Sequence, residues 1–231
     1  MLYWLAELSD GGDFFNLFRY ITFRAGAAFF TALIFGFLFG RPLINLLKRR
    51  QKNGQPIRAD GPEGHVLTKA GTPTMGGALI LGAITVSTLL WARLDNGFVL
   101  VVLGVTLSYG LIGFADDYSK IAKNDNYSGL SGKLRLTLEG IIALAASYVI
   151  MTLHPAELTG QLAFPVFKDL LLNLGLFFLP VAAFVMVGAA NAVNLTDGLD
   201  GLAIMPVMIA AGTLGAIAYA VGRGDFTAYL D

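Results

Sequence analysis

The sequence predicts an all-α protein, a polytopic bundle of transmembrane helices. Hydrophobic residues make up 55% of the 231-residue chain and charged residues only 14%, against roughly 25% charged residues in soluble domains. Apolar stretches recur along the chain, each of about the 17 to 25 residues that a helix needs to cross a bilayer. Open sheets cannot span lipid because their edges leave backbone groups unpaired, so we expect every span to be a helix.

The first three spans are predicted at about 21–40, 75–92 and 97–115. The first is the run ITFRAGAAFFTALIFGFLFG, and the second, MGGALILGAITVSTLLWA, follows a loop rich in Gly and Pro. The third, GFVLVVLGVTLSYGLIGFA, ends at Asp116 and Asp117. An Asp at a helix centre costs roughly 2.5 to 3.5 kcal/mol on insertion scales, so this pair is expected at the membrane interface.

The last three spans are predicted at about 134–153, 170–190 and 201–221. Glu139 lies early in the fourth span and is expected to be an interfacial charge at the helix start, with a role near Lys133 as the alternative. The fifth span ends in the oily run FLPVAAFVMVGAA, and the polar segment NAVNLTDGLDG separates it from the sixth. The six spans form one integral membrane domain.

Lys and Arg predict the orientation, because cytoplasmic loops carry an excess of both. The segments 41–74 and 116–135 are rich in them. Placing both segments inside puts the N-terminus and the 154–169 loop outside, and the NAVNLTDGLDG segment inside. The three polar segments therefore share the cytoplasmic face. The formal net charge of zero offers no electrostatic case for nucleic acid as a partner.

The string GFADDYSK, at 113–120, contains the adjacent acidic residues Asp116 and Asp117. Neighbouring carboxylates repel each other unless a cation joins them. Mg²⁺, held by one or two carboxylates together with substrate phosphate, is the cation that this pair suits. The alternative is a solvated pair that simply ends a helix.

The string RADGPEGHVLTKAGTPTMGG, at 58–77, is predicted to be a shaped loop because Gly permits close backbone approach and Pro restricts the chain. Lys69, beside Thr72 and Thr74, would suit a phosphate group, although the string is not a Walker A loop. A cytoplasmic linker with topology-setting lysines is the alternative.

The string NAVNLTDGLDGLA, at 191–203, holds five closely spaced polar side chains. Asn191 and Asn194 are three residues apart, as are Asp197 and Asp200, so a helix would place each pair on one face. Amides and carboxylates of this kind can bind a nucleobase edge or ribose hydroxyls. The alternative is an N-cap at Thr196 or Asp197 that opens the sixth helix.

Three strings, GTPTMGG, GFADDYSK and NAVNLTDGLDGLAIMP, occur in this order at the inner ends of successive predicted spans. Together they resemble the phospho-N-acetylmuramoyl-pentapeptide transferases, the bacterial translocase I family of the polyprenyl-phosphate N-acetylhexosamine-1-phosphate transferase superfamily. FRYITFRA near the N-terminus and FKD at 167–169 extend the resemblance over essentially the whole chain.

The resemblance implies a Mg²⁺-dependent phosphosugar transfer in the bacterial inner membrane. UDP-N-acetylmuramoyl-pentapeptide would donate its phosphosugar to undecaprenyl phosphate, which makes lipid I and releases UMP at the cytoplasmic face. This is the first membrane step of peptidoglycan biosynthesis. A related transferase that uses a UDP-N-acetylhexosamine and a non-catalytic membrane transporter are the alternatives.

The resemblance also implies roles by position. Asp116 would engage or deprotonate the lipid phosphate, Asp117 would assist it or the metal, and both are candidate Mg²⁺ ligands. Substrate contacts are implied for further residues: Lys69, Thr74, Asn194, Asp197, Gly198, Leu199 and Asp200 at the nucleoside diphosphate, and Lys120 and Lys133 at phosphate, with Arg135 as an alternative to Lys133. Asn191 joins the substrate-binding group as the first amide of its segment.

The family has about ten transmembrane helices, and its later part carries a further catalytic Asp in a Met-Gly-Asp segment and a His-rich loop. This chain ends at TAYLD, residue 231, without either. We therefore expect residues 1–231 to be an N-terminal part of the enzyme that is inactive alone. A GxxxG pair at Gly36 and Gly40 is compatible with helix packing or with a homodimer.

Overall fold

The computed structural model describes residues 1–51, 73–123, 128–164, 167–197 and 201–222. Two short 3₁₀ helices, Leu2–Leu8 and Phe14–Arg19, precede the first α-helix. The α-helices of the described chain are α1 (Ile21–Arg50), α2 (Gly77–Trp91), α3 (Gly97–Lys123), α4 (Gly132–Leu153), α5 (Phe178–Thr196) and α6 (Ile204–Val221).

The predicted class, a helical multi-pass membrane protein, is confirmed. Five of the helices described are long and apolar enough to cross a membrane, and α2 is apolar but shorter. With 15 residues and a rise of 1.5 Å per residue, α2 is about 22 Å long, less than the roughly 30 Å of a hydrocarbon core. It starts later than predicted because Met75 has a φ of 73°, which an α-helix does not accommodate.

The third helix extends further than predicted. The apolar run stops near residue 115, whereas α3 continues to Lys123. Asp116 and Asp117 therefore lie inside the last two turns of a helix and not after its end. The backbone continues as a helix because its hydrogen bonds do not depend on the polarity of the side chains.

A β-hairpin replaces the start of the predicted fifth span. Strand β1 (Gln161–Phe164) pairs antiparallel with β2 (Phe167–Asn173). A 3₁₀ turn at Gly175–Phe177 follows, and α5 begins only at Phe178. The expectation of helix from residue 170 was wrong, because an apolar run such as LLLNLG is equally compatible with a short strand.

Contacts at the two ends of the bundle show that successive helices run in opposite directions. At one end, Gln51 after α1 contacts Thr74 before α2, and Thr74 contacts Asp117 near the end of α3. At the other end, the rings of Phe98 at the start of α3 and His154 after α4 are 5.1 Å apart. We call the first of these ends the acidic end, because it carries Asp116 and Asp117.

Small side chains form the interior and large apolar side chains face outward. Ala143 and Ser147 of α4 are fully buried, and Ala83 and Ala183 are nearly so. Many large side chains are exposed instead, such as Phe37, Phe184 and Leu195. Membrane helices associate through small residues that allow close approach, while lipid covers the large ones. This arrangement is therefore that of a bundle in a bilayer.

Candidate functional site

Asp116 is held by two partners at the acidic end. It is buried, near the end of a helix that is long and apolar enough to cross a membrane. The Nζ of Lys120, one helical turn later, donates to Oδ2 at 2.5 Å, and the backbone N–H of Leu130 donates to Oδ1 at 2.8 Å. The pairing of Asp116 with Lys120 at i and i+4 neutralises a carboxylate that would otherwise be costly to bury.

Gly129 makes the close approach of the following loop possible. A Cβ atom on Gly129 would overlap Oδ1 of Asp116 and lie 2.8 Å from Cε of Lys120. A residue with a side chain at 129 would displace the ion pair from this position. The backbone at 129–130 therefore fixes the orientation of the Asp116 carboxylate.

Asp117 is less enclosed than Asp116 and accepts a hydrogen bond from Thr74. The Oγ1 of Thr74 donates to Oδ2 of Asp117 at 3.1 Å. Thr74 is itself held by Gln51, whose Oε1 accepts from the Thr74 N–H at 2.9 Å and whose Nε2 donates to the Thr74 carbonyl at 3.2 Å. The structure thus brings together two motifs that are 43 residues apart in sequence.

Gln51 is a residue that the sequence did not single out. It follows the last turn of α1 in a run of Lys and Arg, where a solvated side chain is the ordinary expectation. It is nevertheless buried, because its amide pairs with both backbone groups of Thr74. No local signal in the sequence marks this contact, which depends on the packing of α1 against α2.

The polar segment after the oily run of α5 belongs to that helix. Asn191, Asn194 and Thr196 lie in its last two turns, and Asp197 follows as the C-terminal cap. The sixth helix, α6, begins at Ile204 after Ala203. The alternative that Thr196 or Asp197 caps the start of the sixth helix is therefore wrong. Asn191 and Asn194 both lie within α5, as a shared helical face requires. Asp197 lies after the end of that helix, so the helical continuation predicted for it is not observed.

Asn191 is directed into the bundle, whereas Asn194 and Asp197 are exposed. The Nδ2 of Asn191 donates to Oε2 of Glu139 at 2.5 Å and to the Val187 carbonyl at 2.9 Å. Within the part of the chain that the structure describes, no hydrogen bond or ion pair joins Asn194 or Asp197 to the acidic pair. Their side chains are accessible to a ligand from outside the bundle.

Glu139, predicted to be an interfacial charge at the start of the helix, is buried between helices. It is 2% exposed, and Nε of Arg135 donates to its Oε1 at 2.8 Å. The hydroxyl of Tyr109 on α3 donates to the Glu139 backbone carbonyl at 3.1 Å. Glu139 therefore joins α3, α4 and α5, as expected of an ionisable residue that is retained within a membrane span.

The other residues predicted to bind substrate lie in different surroundings, and some are not described by the structure. Lys120 is engaged with Asp116, as described above. Lys133, in the first turn of α4, is exposed, while the competing Arg135 is paired with Glu139. Substrate contacts are also predicted for Lys69, Gly198, Leu199 and Asp200, which lie outside the described residues.

Few of the described side chains at the acidic end could coordinate a metal ion. Among the described residues, no three His, Asp or Glu side chains are grouped so that they could hold a metal ion by themselves. Asp116 has both oxygens engaged, and Asp117 has one engaged by Thr74. A hard cation bound here would rely on one or two carboxylates and on oxygens from elsewhere, the arrangement common for Mg²⁺ at phosphate-transfer sites.

Comparison with known proteins places these residues in a family. Residues 99–230, more than half of the chain, match the model of glycosyl transferase family 4. Residues 69–81, which include Thr74 and the start of α2, match signature 1 of the phospho-N-acetylmuramoyl-pentapeptide-transferases.

Curated relatives match along the whole chain. The chain is 69% identical to the phospho-N-acetylmuramoyl-pentapeptide-transferase of Dinoroseobacter shibae and 71% identical to the proteins of the same name from Ruegeria sp. (strain TM1040) and Ruegeria pomeroyi. It spans 64% of the length of each of these relatives. The resemblance predicted from the three motifs is thereby confirmed, and the chain belongs to glycosyl transferase family 4.

Proposed function

We propose that this chain forms the N-terminal part of an enzyme that transfers phospho-N-acetylmuramoyl-pentapeptide from its UDP conjugate to undecaprenyl phosphate, with lipid I and UMP as products. The observation that carries the proposal is the acidic pair Asp116–Asp117, held together with Lys120 and Thr74 at one end of a membrane bundle. Carboxylates and a cationic side chain at this position can meet a lipid phosphate and a soluble nucleotide at the same interface.

The chemistry asks mainly for positioning and charge neutralisation, because phosphoryl transfer requires little covalent chemistry from the protein. An oxygen of the lipid phosphate would attack the phosphorus that carries the sugar, the bond to the UMP oxygen would break, and UMP would leave. Lys120 would orient a phosphate, and the exposed Asn194 and Asp197 would contact the nucleoside. Lys69, Lys133, Gly198, Leu199 and Asp200 complete the proposed substrate site.

The contacts refine the division of roles between the two carboxylates. The sequence interpretation assigns Asp116 the more direct role, yet both of its oxygens already accept hydrogen bonds. Asp117 retains an oxygen that Thr74 does not use. We therefore favour Asp117 as the carboxylate that meets an incoming group first, with the Asp116–Lys120 pair opening when phosphate competes for Lys120.

The donor chemistry at the acidic end fits Mg²⁺. Asp117, with Asp116 as a second ligand, would hold the ion together with substrate phosphates. Bound there, the ion would neutralise charge on the phosphates during transfer. We further propose that this end faces the cytoplasm of a bacterial inner membrane and that the N-terminus is outside. A homodimer would use Gly36, whose surface is open, and not Gly40, which faces Leu79 of the same chain.

The test is release of UMP in detergent with UDP-N-acetylmuramoyl-pentapeptide, undecaprenyl phosphate and Mg²⁺. It compares the 231-residue chain, the chain extended to the full length of its relatives, and the extended chain carrying Asp117→Asn or Asp116→Asn. We expect turnover from the extended chain alone and its loss in both variants. Asp95→Asn is the matched control, because Asp95 is an exposed carboxylate paired with Arg93 in the loop between α2 and α3.

Three outcomes would contradict parts of the proposal. An extended chain that releases no UMP would overturn the assigned activity. Equal turnover with a UDP-N-acetylhexosamine that lacks the muramoyl-pentapeptide would favour the related transferases instead. Turnover by the 231-residue chain itself would show that these residues contain a complete site.

A further inference from the structure

The buried carboxylate of Glu139 lies where three helices meet. Its side chain accepts from Arg135 of the same helix and from Asn191 of α5, and its backbone carbonyl accepts from Tyr109 of α3. It lies seven residues after the first residue of α4, or about 10 Å along the helix axis. A carboxylate at this depth is costly to bury unless its partners are fixed.

Arg135 neutralises the charge but does not link helices. It is four residues before Glu139 on α4, and its side chain is 23% exposed, so it reaches toward the acidic end while Glu139 remains inside. The link that the Glu139 side chain makes to another helix is the hydrogen bond from Asn191, at 2.5 Å and across 52 residues of sequence. Charge-assisted hydrogen bonds of this kind are the stronger ones in proteins.

Asn191 lies about one turn before Asn194 and about one and a half turns before the end of α5 at Thr196. Its two N–H groups are used by Glu139 and by the Val187 carbonyl. A helix held at this position has its last turn held as well, because an α-helix is stiff over two turns. The exposed side chains of Asn194 and Asp197 extend from that last turn.

We propose that Glu139 is a positioning residue: through Asn191 it holds the C-terminal turn of α5, and with it Asn194 and Asp197, at a set distance from the acidic pair on α3. We call this contact the Glu139–Asn191 clamp. The contact itself does not depend on the proposed function. Only the statement that the positioned turn binds a nucleotide rests on it. It also changes the role predicted for Asn191, which acts through the helix and not by contacting substrate.

The first test measures the clamp without activity. The chain contains no cysteine, so nitroxide labels on Tyr118→Cys of α3 and Leu195→Cys of α5, both exposed, report one distance in the extended protein. We expect a single narrow distance distribution in the parent, a broadened one in Glu139→Ala and Asn191→Ala, and a near-parental one in Glu139→Gln, whose amide oxygen can still accept from Asn191.

Ser147→Ala is the matched control. Ser147 is a fully buried polar residue of the same helix, but its hydroxyl donates only to the Ala143 carbonyl of α4. Loss of this hydroxyl in Ser147→Ala should leave the distance distribution between the two labels narrow. A narrow, unshifted distribution in Glu139→Ala would overturn the clamp. The same broadening in Ser147→Ala would also overturn it, because general loosening of α4 would then explain the result.

The second test uses steady-state kinetics of the unlabelled extended protein. Because the turn that carries Asn194 and Asp197 would no longer be held, we expect Glu139→Ala to raise the KM for the UDP-linked donor roughly tenfold or more. The KM for undecaprenyl phosphate should stay unchanged, and Glu139→Gln should restore most of the donor KM. The double variant Glu139→Ala/Asn191→Ala should match either single variant, because both remove one contact.

Together, the two tests distinguish a failure of the clamp from a failure of the proposed function. An inactive parent with a broadened Glu139→Ala distribution would overturn the proposed function and leave the clamp standing. A raised donor KM in Asn191→Ala with a narrow distribution would overturn the clamp in favour of direct substrate binding by Asn191. Equal loss of kcat in Glu139→Ala and Ser147→Ala, with both KM values unchanged, would reduce Glu139 to a structural role.

Discussion

At the scale of single residues, the acidic end depends on backbone groups as much as on side chains. Asp116 is oriented by the N–H of Leu130, and Thr74 is held through its own N–H and carbonyl by Gln51. The backbone groups in these contacts could belong to almost any residue type, so the sequence does not mark them. A motif search therefore finds Asp116 and Thr74 but not the groups that orient them.

Gly129 provides a residue-scale prediction. In Gly129→Ala the added Cβ would overlap the Asp116 carboxylate and approach Cε of Lys120, so the ion pair must shift. We expect UMP release by the extended chain to fall roughly tenfold or more, as for loss of a charge-assisted hydrogen bond, without loss of folded protein on size-exclusion chromatography.

Gly132→Ala is the control for this prediction. Gly132 begins α4 three residues later, and a Cβ there would meet nothing within 4 Å. Its activity should equal that of the parent. Unchanged turnover in Gly129→Ala would mean that the orientation of Asp116 does not limit the reaction.

At the scale of elements, the start of α4 positions the segment that holds Asp116. Ser131 is the N-cap of this helix, and its Oγ accepts from the Leu134 N–H at 3.3 Å. The cap comes directly after Leu130, the donor to Asp116. A Ser directly before an apolar helical run is a signal that sequence inspection can use, whereas the contact of Leu130 with Asp116 is visible only in the fold.

Removing this cap should lower stability. Ser131→Ala leaves the Leu134 N–H without its acceptor, which costs about 1 kcal/mol. We expect a lower midpoint of thermal unfolding in detergent, followed by circular dichroism, and a near-parental midpoint in Ser131→Thr, which keeps the hydroxyl.

Thr137→Ala serves as the comparison on the same helix. Thr137 is exposed, and its hydroxyl donates to the Lys133 carbonyl one turn earlier, an acceptor that the helix already uses. Its midpoint should therefore stay close to that of the parent. If Ser131→Ala and Thr137→Ala behave alike, the cap contributes nothing of its own.

At the scale of the whole molecule, up-and-down packing gathers the polar segments at one end. The ends of α1, α3 and α5 and the starts of α2, α4 and α6 lie on the same side because successive helices reverse direction. Positive residues at that side predict that it faces the cytoplasm. The hairpin β1–β2 lies at the opposite end, where an open sheet edge can meet water.

The absence of cysteine allows a direct test of this orientation in intact cells. Ala122→Cys lies near the end of α3 at the acidic end, and Ala156→Cys lies between α4 and the hairpin; both positions are exposed. We expect a membrane-impermeant maleimide to label Ala156→Cys in whole cells and Ala122→Cys only in inverted vesicles. The reverse pattern would place the acidic end outside and exclude transfer from a cytoplasmic nucleotide.

The sequence alone determined the class of the molecule and the place of its motifs. Hydropathy predicted a helical membrane bundle because a bilayer demands about 20 apolar residues per span, and the three polar strings predicted the family. Both signals are local, since each lies within one short stretch of chain. The strand pairing at 161–173 was missed because hydropathy alone does not distinguish an apolar strand from an apolar helix.

Only the tertiary structure decided which polar groups meet. Gln51 and Thr74 are 23 residues apart, Thr74 and Asp117 are 43 apart, and Glu139 and Asn191 are 52 apart. None of these pairs has a sequence signature, because each depends on how two helices pack and on which face of each turns inward. The sequence around Glu139 does not determine whether its side chain is buried or exposed. It is buried because α3 and α5 pack against this part of α4.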